Sequence, residues 1–259
     1  MFDQGKGAPL IVIPGIQGRW EWMTPALRAL QKRCHVVSYS LCGDAGSGMK
    51  FDASLGFNNF VRQLDEVFDR TGLGPAALCG VSYGGFIALR YAATRPERVS
   101  SLVFASSPAP GWVPNERQQR YVRHPWRSAP SFVVGAPLRL WPEIRAAYDT
   151  PRERVAFSVR HAARVVAAPI SPPMMAIRVT LQQAMDFAPD CARISVPTLI
   201  VTGEDGLDKV VPAEVTRRYR QLIPGAQYVQ MKRAGHIGLL THPEQFADIV
   251  TGFINANGH

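Results

Sequence analysis

Residues 76–85 read AALCGVSYGG, and this stretch carries the clearest structural information in the chain. An apolar run leads into the pattern G-x-S-x-G around Ser82, and Ile87 and Leu89 continue beyond it at helical spacing. A serine in a tight strand-to-helix turn is held in a strained conformation, and glycines leave the space that such a turn needs. We predict that Ser82 is a nucleophile; the alternative is an ordinary turn serine.

Short apolar runs alternate with segments of helical periodicity on both sides of this turn. Strands are predicted at residues 10–13, 35–39, 76–81, 99–105, 198–201 and 228–231. Strict alternation of strands and helices is typical of a parallel sheet that is covered by helices on both faces. The sequence therefore predicts an α/β fold.

The alternation stops between about Pro108 and Pro189, where prolines are frequent and strand signals are few. A stretch of this length is too long for a simple loop in a compact domain, and short helical segments lie between its prolines. We predict that residues 108–189 form a mainly helical cap, inserted into an α/β core made of residues 1–107 and 190–259.

Composition argues against several classes of protein. Of the 259 residues, 46% are hydrophobic and 19% are charged, which is typical of a folded globular chain. No apolar run approaches the length of a membrane span, and residues 1–9 lack the layout of a signal peptide. The four cysteines show no C-x-x-C spacing, and the glycine-rich residues 43–50 lack the spacing of a phosphate-binding loop. We expect a cytoplasmic protein with no metal, no cofactor and no membrane partner.

The net charge of +9 raises the question of a nucleic-acid partner. The basic run from Arg117 to Arg127 is interleaved with aromatic residues, but it matches no nucleic-acid-binding motif. We interpret it as a solvated helix face and expect no nucleic-acid partner. In an alternative interpretation, one arginine of the insertion points inward and binds an anionic substrate, with Arg160 and Arg164 as further candidates.

A serine hydroxyl needs an adjacent base to act as a nucleophile. Around a G-x-S-x-G turn, the partners follow in the chain order serine, acid, histidine. That order sets aside the histidines that precede Ser82, fall in the insertion or end the chain, namely His35, His124, His161 and His259. Of the remaining two, His236 directly follows a predicted strand, whereas His242 stands next to Pro243 at a helix start. We predict that His236 is the base.

The acid that orients the histidine is expected in the loop after the strand at residues 198–201. Residues 203–212 read GEDGLDKVVP and contain three carboxylates, Glu204, Asp205 and Asp208. A triad requires only one of them, and the residues alone leave the choice open.

Further motifs make the chain resemble the α/β-hydrolase superfamily over nearly its whole length outside the insertion. Residues 13–18 (IPGIQG) are similar to the His-Gly-x-x-Gly oxyanion loop of that family. Residues 40–47 (SLCGDAGS) are similar to its Asp-x-Pro-Gly-x-Gly-x-Ser loop. Gly235-His236 resembles its terminal Gly-His, and the turn at Ser82 resembles its nucleophile elbow. The resemblance implies an α/β-hydrolase fold, with a mostly parallel sheet flanked by helices.

The resemblance also implies an oxyanion hole and an acid. The backbone N–H groups of Ile16 and Tyr83 would hold the oxyanion, although Pro14 stands where family members usually carry histidine.

In the acid loop, the family's usual acid position falls on Gly206, and the loop is about two residues longer than the common pattern. We therefore prefer Asp208 as the acid and keep Asp205 as the alternative, with Glu204 behind both.

The N-terminal edge of the sheet is expected to be shortened. Members of the family often have two further N-terminal strands, but only about nine residues precede Leu10 here. An exposed sheet edge is also a surface that a second copy of the chain could cover in a homodimer.

The activity implied by the resemblance is that of a serine hydrolase, which cleaves an ester-type bond of a small, largely apolar substrate through an acyl-enzyme. Trp22, Trp112 and Trp126 are the candidates for lining an apolar pocket above Ser82. One alternative is C–C bond hydrolysis of a diketone-type acid, which the arginines of the insertion would favour. Another is a hydrolase-fold ligand receptor with slow turnover.

Overall fold

The computed structural model describes residues 1–257, and a single sheet lies at its centre. Its strands are β1 Phe2–Gln4, β2 Ala8–Ile13, β3 Cys34–Ser38, β4 Ala76–Val81, β5 Val99–Ala105, β6 Thr198–Thr202 and β7 Gln227–Gln230. They follow the order β1-β3-β2-β4-β5-β6-β7. Neighbours pair in parallel, except that β1 is antiparallel to β3. The last two residues of the predicted core, including His259, lie outside the described residues.

Helices cover the sheet and fill the segment between β5 and β6. They are α1 Thr24–Leu30, α2 Asn58–Thr71, α3 Gly84–Thr94, α4 Glu116–Arg123, α5 Pro125–Ala147, α6 Pro151–Ala167, α7 Pro172–Gln183, α8 Ala188–Ala192, α9 Ala213–Arg217, α10 Tyr219–Leu222, α11 Gly238–Thr241 and α12 Pro243–Asn257. Short 3-10 turns occur at Trp20–Met23, Ala53–Leu55 and Pro96–Arg98. Within residues 1–257, no helix is both long enough and apolar enough to cross a membrane.

The mostly parallel α/β sheet predicted from the sequence is confirmed. Each predicted strand corresponds to one of β2–β7, with ends that differ by no more than two residues. The N-terminal edge is short, because β1 has three residues. One prediction was wrong: the helix expected from about residue 212 to residue 222 is divided at Arg218 into α9 and α10. The backbone bonds Val215 N–H to Pro212 and Gln221 N–H to Arg218 span three residues, so the helix is tightened at these points.

The central strands are continuous apolar runs because both of their faces are covered. Every residue of β4 is buried. Alternate side chains of β2 enter different cores, with Ile11 and Ile13 on one face of the sheet and Leu10 and Val12 on the other. The first core is completed by α2 and α3, and the second by α1 and α12.

The parallel direction of the strands brings three loops to one edge of the sheet. Ser82 follows β4, residues 203–212 follow β6, and residues 231–237 follow β7. In sheets of this type, binding sites lie beyond the carboxyl ends of the strands. The candidate residues from distant parts of the chain are therefore expected to meet at this edge.

Helices α4–α7 occupy the part of the chain where the sequence predicted a cap, and we propose that residues 108–189 have this role. Helix α5 runs for 23 residues although three prolines lie inside it, at positions 130, 137 and 142. Most of the large exposed apolar side chains of the described residues lie in this segment: Val113, Trp126, Val133, Val134, Leu138, Trp141, Val155, Val159 and Val166.

The stability of the sheet can be tested at Phe104, a fully buried β5 residue whose ring stacks on Tyr219 at a centroid distance of 3.9 Å. Phe104→Ala should lower the free energy of unfolding by about 3–5 kcal/mol, because the cavity is only partly refilled. Equilibrium urea unfolding measures the loss. The control Val134→Ala truncates a 75% exposed side chain and should change stability by less than about 0.5 kcal/mol. Equal losses in the two variants would contradict this assignment of the core.

Candidate active site

Ser82 lies in the tight turn between β4 and α3. Its φ angle is 51°, a left-handed conformation that is unfavourable for a residue with a side chain. A Cβ on Gly80 would lie 2.5 Å from Gly85 Cα, and a Cβ on Gly84 would lie 2.7 Å from the Pro14 carbonyl oxygen. Larger residues at either glycine would force the backbone to move, so the sequence pattern and the strained turn belong together.

His236 and Asp208 are joined by a hydrogen bond. His236 Nδ1 lies 2.9 Å from Asp208 Oδ2. The other carboxylate oxygen of Asp208 accepts hydrogen bonds from the backbone N–H groups of Val210, at 2.9 Å, and Val211, at 2.7 Å. Both carboxylate oxygens are thus held, and the imidazole is directed by a fixed acceptor.

The electrostatic surroundings favour a protonated His236. Burial by itself lowers the pKa of His236, but the negative charge and hydrogen bond of Asp208, with a further contribution from Glu143, raise this pKa above its ordinary value. In its neutral form, a histidine in these surroundings is a good proton acceptor, because the imidazolium that results is stabilised by a neighbouring carboxylate.

The other two carboxylates of the acid loop point elsewhere. Asp205 has a 61% exposed side chain and forms an ion pair with Arg217 at 2.9 Å. Glu204 accepts a hydrogen bond from the backbone N–H of Arg233 at 2.8 Å. Of the three carboxylates that the sequence left open, Asp208 is the one that contacts His236.

Ser82 and the His236–Asp208 pair lie at the same edge of the sheet but are not linked by a hydrogen bond in the described part of the chain. The hydrogen bond of the His236 ring joins it to Asp208. Ser82 is 9% exposed, so its side chain retains some access to solvent. Contacts between nucleophile and base are often long in a protein without substrate and tighten when substrate binds.

The loop at residues 14–18 packs against Ser82. Its turn is closed by a hydrogen bond from Gly18 N–H to the Gly15 carbonyl at 2.9 Å. A Cβ on Gly15 would lie 3.3 Å from Ser82 Cβ, so the loop backbone lies beside the serine. The backbone N–H groups of Ile16 and Tyr83 have no backbone partner among residues 1–257, which leaves both available to an oxyanion.

Arg178 of α7 is a fully buried residue that sequence reasoning missed. Its guanidinium donates a hydrogen bond to the Ile16 carbonyl at 2.8 Å and another to the Cys42 carbonyl at 3.4 Å. It also forms a buried ion pair with Asp44. Burial raises the pKa of Asp44, and the charge of Arg178 acts in the opposite direction. One arginine of α7 therefore contacts two loops of the core, one of which packs against Ser82.

Glu143 of α5 was also missed. It is 1% exposed, and its Oε2 accepts a hydrogen bond from the backbone N–H of Ile237 at 3.0 Å. Its Oε1 is buried and has no hydrogen-bond partner within residues 1–257. Burial raises the pKa of Glu143 to about 7, although hydrogen bonds from Ile237 and Gly235 and the charge of His236 lower it.

A sequence signal for both residues exists, although its meaning is ambiguous. Arg178 is a single charge within the apolar run 174–179, and Glu143 is a single charge within 140–144. An isolated charge in an apolar helix segment indicates either a solvated position or a buried, paired group. The partners of Arg178 and Glu143 lie far along the chain, so the sequence cannot distinguish these cases.

The three tryptophans predicted to line a pocket occupy different surroundings. Trp22 donates a hydrogen bond from Nε1 to the Ala168 carbonyl at 2.9 Å, and its ring lies edge-on to His161. Trp112 is half-buried. Trp126 is 70% exposed on α5, so its expected place in a closed pocket is not observed. Apolar residues on a cap helix can face the core or the solvent, and spacing alone does not distinguish the two.

The arginines of the insertion mostly face solvent. The basic run is exposed at all four of its arginines, Arg117, Arg120, Arg123 and Arg127, which agrees with a solvated helix face. Arg160 is exposed and Arg164 is half-buried. The arginine with no exposed surface is Arg178, and its charge is paired with Asp44.

Metal ligands and disulfides were not expected from the sequence. Within residues 1–257, no group of three or more His, Cys, Asp or Glu side chains is arranged to hold a metal ion. The four cysteines, Cys34, Cys42, Cys79 and Cys191, are free and buried.

Comparison with known proteins gives a match over most of the chain. A family model described as alpha/beta hydrolase fold matches residues 8–243. The chain is 30% identical over 253 residues to a protein of Klebsiella pneumoniae (strain 342) named carbamate hydrolase RutD. That match covers 94% of this chain and 90% of the relative.

Solved structures show the same architecture. A thermophilic esterase from Thermogutta terrifontis matches with a TM-score of 0.81 at 21% identity, covering 100% of this chain and 93% of the esterase. The enol-lactonase from Burkholderia xenovorans LB400 matches with a TM-score of 0.76 at 22% identity, covering 98% of this chain and 95% of the lactonase. At these identities the likeness shows the fold alone.

The buried ion pair between α7 and the core can be tested by unfolding. Arg178→Met should lower the free energy of unfolding by about 3–5 kcal/mol, because it leaves the Asp44 carboxylate buried without its partner. Adding Asp44→Asn should restore a large part of this loss by removing the unpaired charge. Guanidinium chloride titrations measure both variants, and Arg123→Met on the exposed face of α4 is the control. A double variant as unstable as Arg178→Met alone would show that the ion pair is not the cause.

Proposed function

This chain belongs to the α/β-hydrolase fold family, and we propose that it is a serine hydrolase that cleaves an ester-type bond of a small, largely apolar substrate. The observation that supports the proposal most is the 2.9 Å hydrogen bond between His236 and Asp208, at the sheet edge where the strained turn of Ser82 lies. A histidine oriented by a carboxylate is the group that a serine needs in order to act as a nucleophile.

In the proposed mechanism, Ser82 Oγ attacks the carbonyl carbon of the substrate while His236 Nε2 takes the hydroxyl proton. Asp208 keeps the proton of His236 on Nδ1, so that Nε2 is free to accept, and it stabilises the imidazolium that forms. The negative oxygen of the tetrahedral intermediate lies between the N–H groups of Ile16 and Tyr83. The imidazolium then protonates the departing alcohol, and an acyl-enzyme is left on Ser82.

Water completes the cycle. His236 takes a proton from a water molecule, whose oxygen attacks the acyl carbon and forms a second tetrahedral intermediate. The imidazolium returns its proton to Ser82 Oγ as the carboxylic acid product leaves. Each half-reaction therefore uses the same base, the same acid and the same pair of N–H groups, and it requires no group other than those of the chain.

A carbamate is the second candidate substrate. The Klebsiella pneumoniae relative is named a carbamate hydrolase, and it covers 94% of this chain. A carbamate presents the same kind of carbonyl carbon to Ser82 and would give a carbamoyl-enzyme in place of an acyl-enzyme. The chemistry at Ser82 and His236 is shared, so the two candidates differ in the pocket and not in the mechanism.

A fluorophosphonate probe tests the proposal directly, because it labels serines that are activated by a base. We expect rapid labelling of the native chain at Ser82, seen by intact mass and peptide mapping, and no labelling of Ser82→Ala. Ser107→Ala, a variant of a neighbouring buried serine, is the control and should still be labelled. Native protein that stays unlabelled would contradict a serine hydrolase.

The substrate class can then be determined by measuring the turnover of model compounds. p-Nitrophenyl esters of graded acyl length and p-nitrophenyl carbamates share one leaving group, so their kcat/KM values compare the acyl parts alone. Higher values for short or medium esters would support the ester proposal, and higher values for carbamates would support the second candidate. Cleavage of diketone acids alone would favour C–C bond hydrolysis, and labelling without turnover would favour a ligand receptor.

The choice of acid generates a separate prediction. Asp208→Asn should lower kcat/KM by a factor of about 10³–10⁴, because the amide does not stabilise the imidazolium and can favour the wrong tautomer of His236. Asp205→Asn removes a largely exposed charge that pairs with Arg217, and it should leave kcat/KM within about twofold. Ester hydrolysis at pH 8 measures both. The reverse order of the two effects would identify Asp205 as the acid.

A further inference from the structure

Glu143 brings a second buried carboxylate to the His236 turn. It is the one acidic residue among the buried residues of α5, and its Oε2 accepts the backbone N–H of Ile237 at 3.0 Å. Gly235, on the other side of the histidine, lies close to the same carboxylate: a Cβ on Gly235 would be 2.7 Å from Glu143 Oε2. The carboxylate therefore contacts the backbone on both sides of His236.

Gly235 also lies close to the loop that carries Asp208. The Cβ position of Gly235 would lie 2.7 Å from the carbonyl oxygen of Leu207, the residue that precedes Asp208. The cap helix, the acid loop and the histidine turn thus meet around one glycine, where there is no space for a side chain. A movement of the Glu143 side chain would therefore displace the backbone on either side of His236.

Charged groups lie close enough to Glu143 to interact with it. His236 and Asp208 act on Glu143, and the charge of Glu143 acts on Tyr148. The Arg233 guanidinium, which approaches the end of α5, donates to Asp149 and to the Ala146 carbonyl. The histidine ring is therefore the cationic partner that Glu143 can acquire when the imidazolium forms.

We propose that Glu143 is a positioning residue, which fixes the His236 turn through the backbone and whose negative charge stabilises the imidazolium together with Asp208. This inference rests on the proposed function, because it takes His236 to be the base. In this role Glu143, on helix α5 of the proposed cap, contributes to proton transfer through its effect on His236.

The pH dependence follows from the sign of the charge. Burial raises the pKa of Glu143 to about 7, so the carboxylate is negative above this pH and neutral below it. The negative form raises the pKa of His236, and this effect is lost as Glu143 takes up a proton. With a permanently neutral residue at position 143, His236 should keep its unprotonated, active form to a lower pH.

Glu143→Gln is the first test, with Glu153→Gln as the matched control on the cap. Glu153 is fully exposed and belongs to the capping box of α6, which glutamine can also form. NMR titration of the imidazole should show the pKa of His236 lowered in Glu143→Gln and unchanged in Glu153→Gln. The acidic limb of the pH profile of kcat/KM should move down by the same amount, with a larger fall in kcat than change in KM.

Two further measurements separate this role from a purely structural one. Glu143→Leu removes the hydrogen bond to Ile237 as well as the charge, so it should lower kcat further than Glu143→Gln at the same His236 pKa. In the native chain, the amide proton shift of Ile237 should report a titration of Glu143 near neutral pH, and this requires no variant to fold.

The imidazole titration decides the inference independently of activity. A folded Glu143→Gln with an unchanged His236 pKa would overturn the role of Glu143, even if Ser82 reacts with the fluorophosphonate probe. An unreactive Ser82 together with a lowered His236 pKa would overturn the proposed function and leave the electrostatic link intact. An Ile237 amide that does not titrate in the native chain would also contradict the inference.

Discussion

The left-handed backbone of Ser82 is the constraint on which the rest of the site depends. A residue with a side chain in this conformation costs about 1–3 kcal/mol, and it persists only where the surrounding structure holds it. Here β4 lies between β2 and β5, and α3 begins directly after the turn. Gly80 and Gly84 lie so close to neighbouring backbone that a side chain at either position would collide with it. The strained turn thus directly follows a strand whose residues are all buried.

Around this turn the core and the cap contribute differently. The core supplies Ser82, Asp208 and His236 from loops at one edge of the sheet. These loops lie together because the parallel strands that precede them all end at that edge. The proposed cap supplies Arg178 and Glu143, whose charged groups are buried and form hydrogen bonds to core backbone. Burying such groups is unfavourable unless each is paired or hydrogen-bonded. For Arg178 this cost is offset by the ion pair with Asp44 and the hydrogen bond to the Ile16 carbonyl, and for Glu143 it is partly offset by the hydrogen bond from Ile237 N–H.

Much of this arrangement could be predicted from the sequence. Strands β2–β7 could be predicted because buried parallel strands are continuous apolar runs. His236 could be selected among the histidines because the acid and the base follow the serine in the chain. The residues alone left the acid open, because three carboxylates lie within residues 203–212, and only the family resemblance favoured Asp208. The orientation of Asp208 depends on its hydrogen bonds to residues 210 and 211, which no sequence pattern predicts. The roles of Glu143 and Arg178 could not be predicted from the sequence, for a different reason. Their contacts span 94 and 162 positions of the chain, and no local pattern records such a separation.

The attachment of α7 through Arg178 has a consequence for engineering the substrate range. A helix whose guanidinium is shared between the Ile16 carbonyl and Asp44 cannot be redesigned without loosening the loop beside the nucleophile. The first cap helix is different, because none of its residues is buried. Substitutions in α4 should therefore leave the reaction centre assembled, whereas substitutions at Arg178 in α7 should loosen the loop that packs against Ser82.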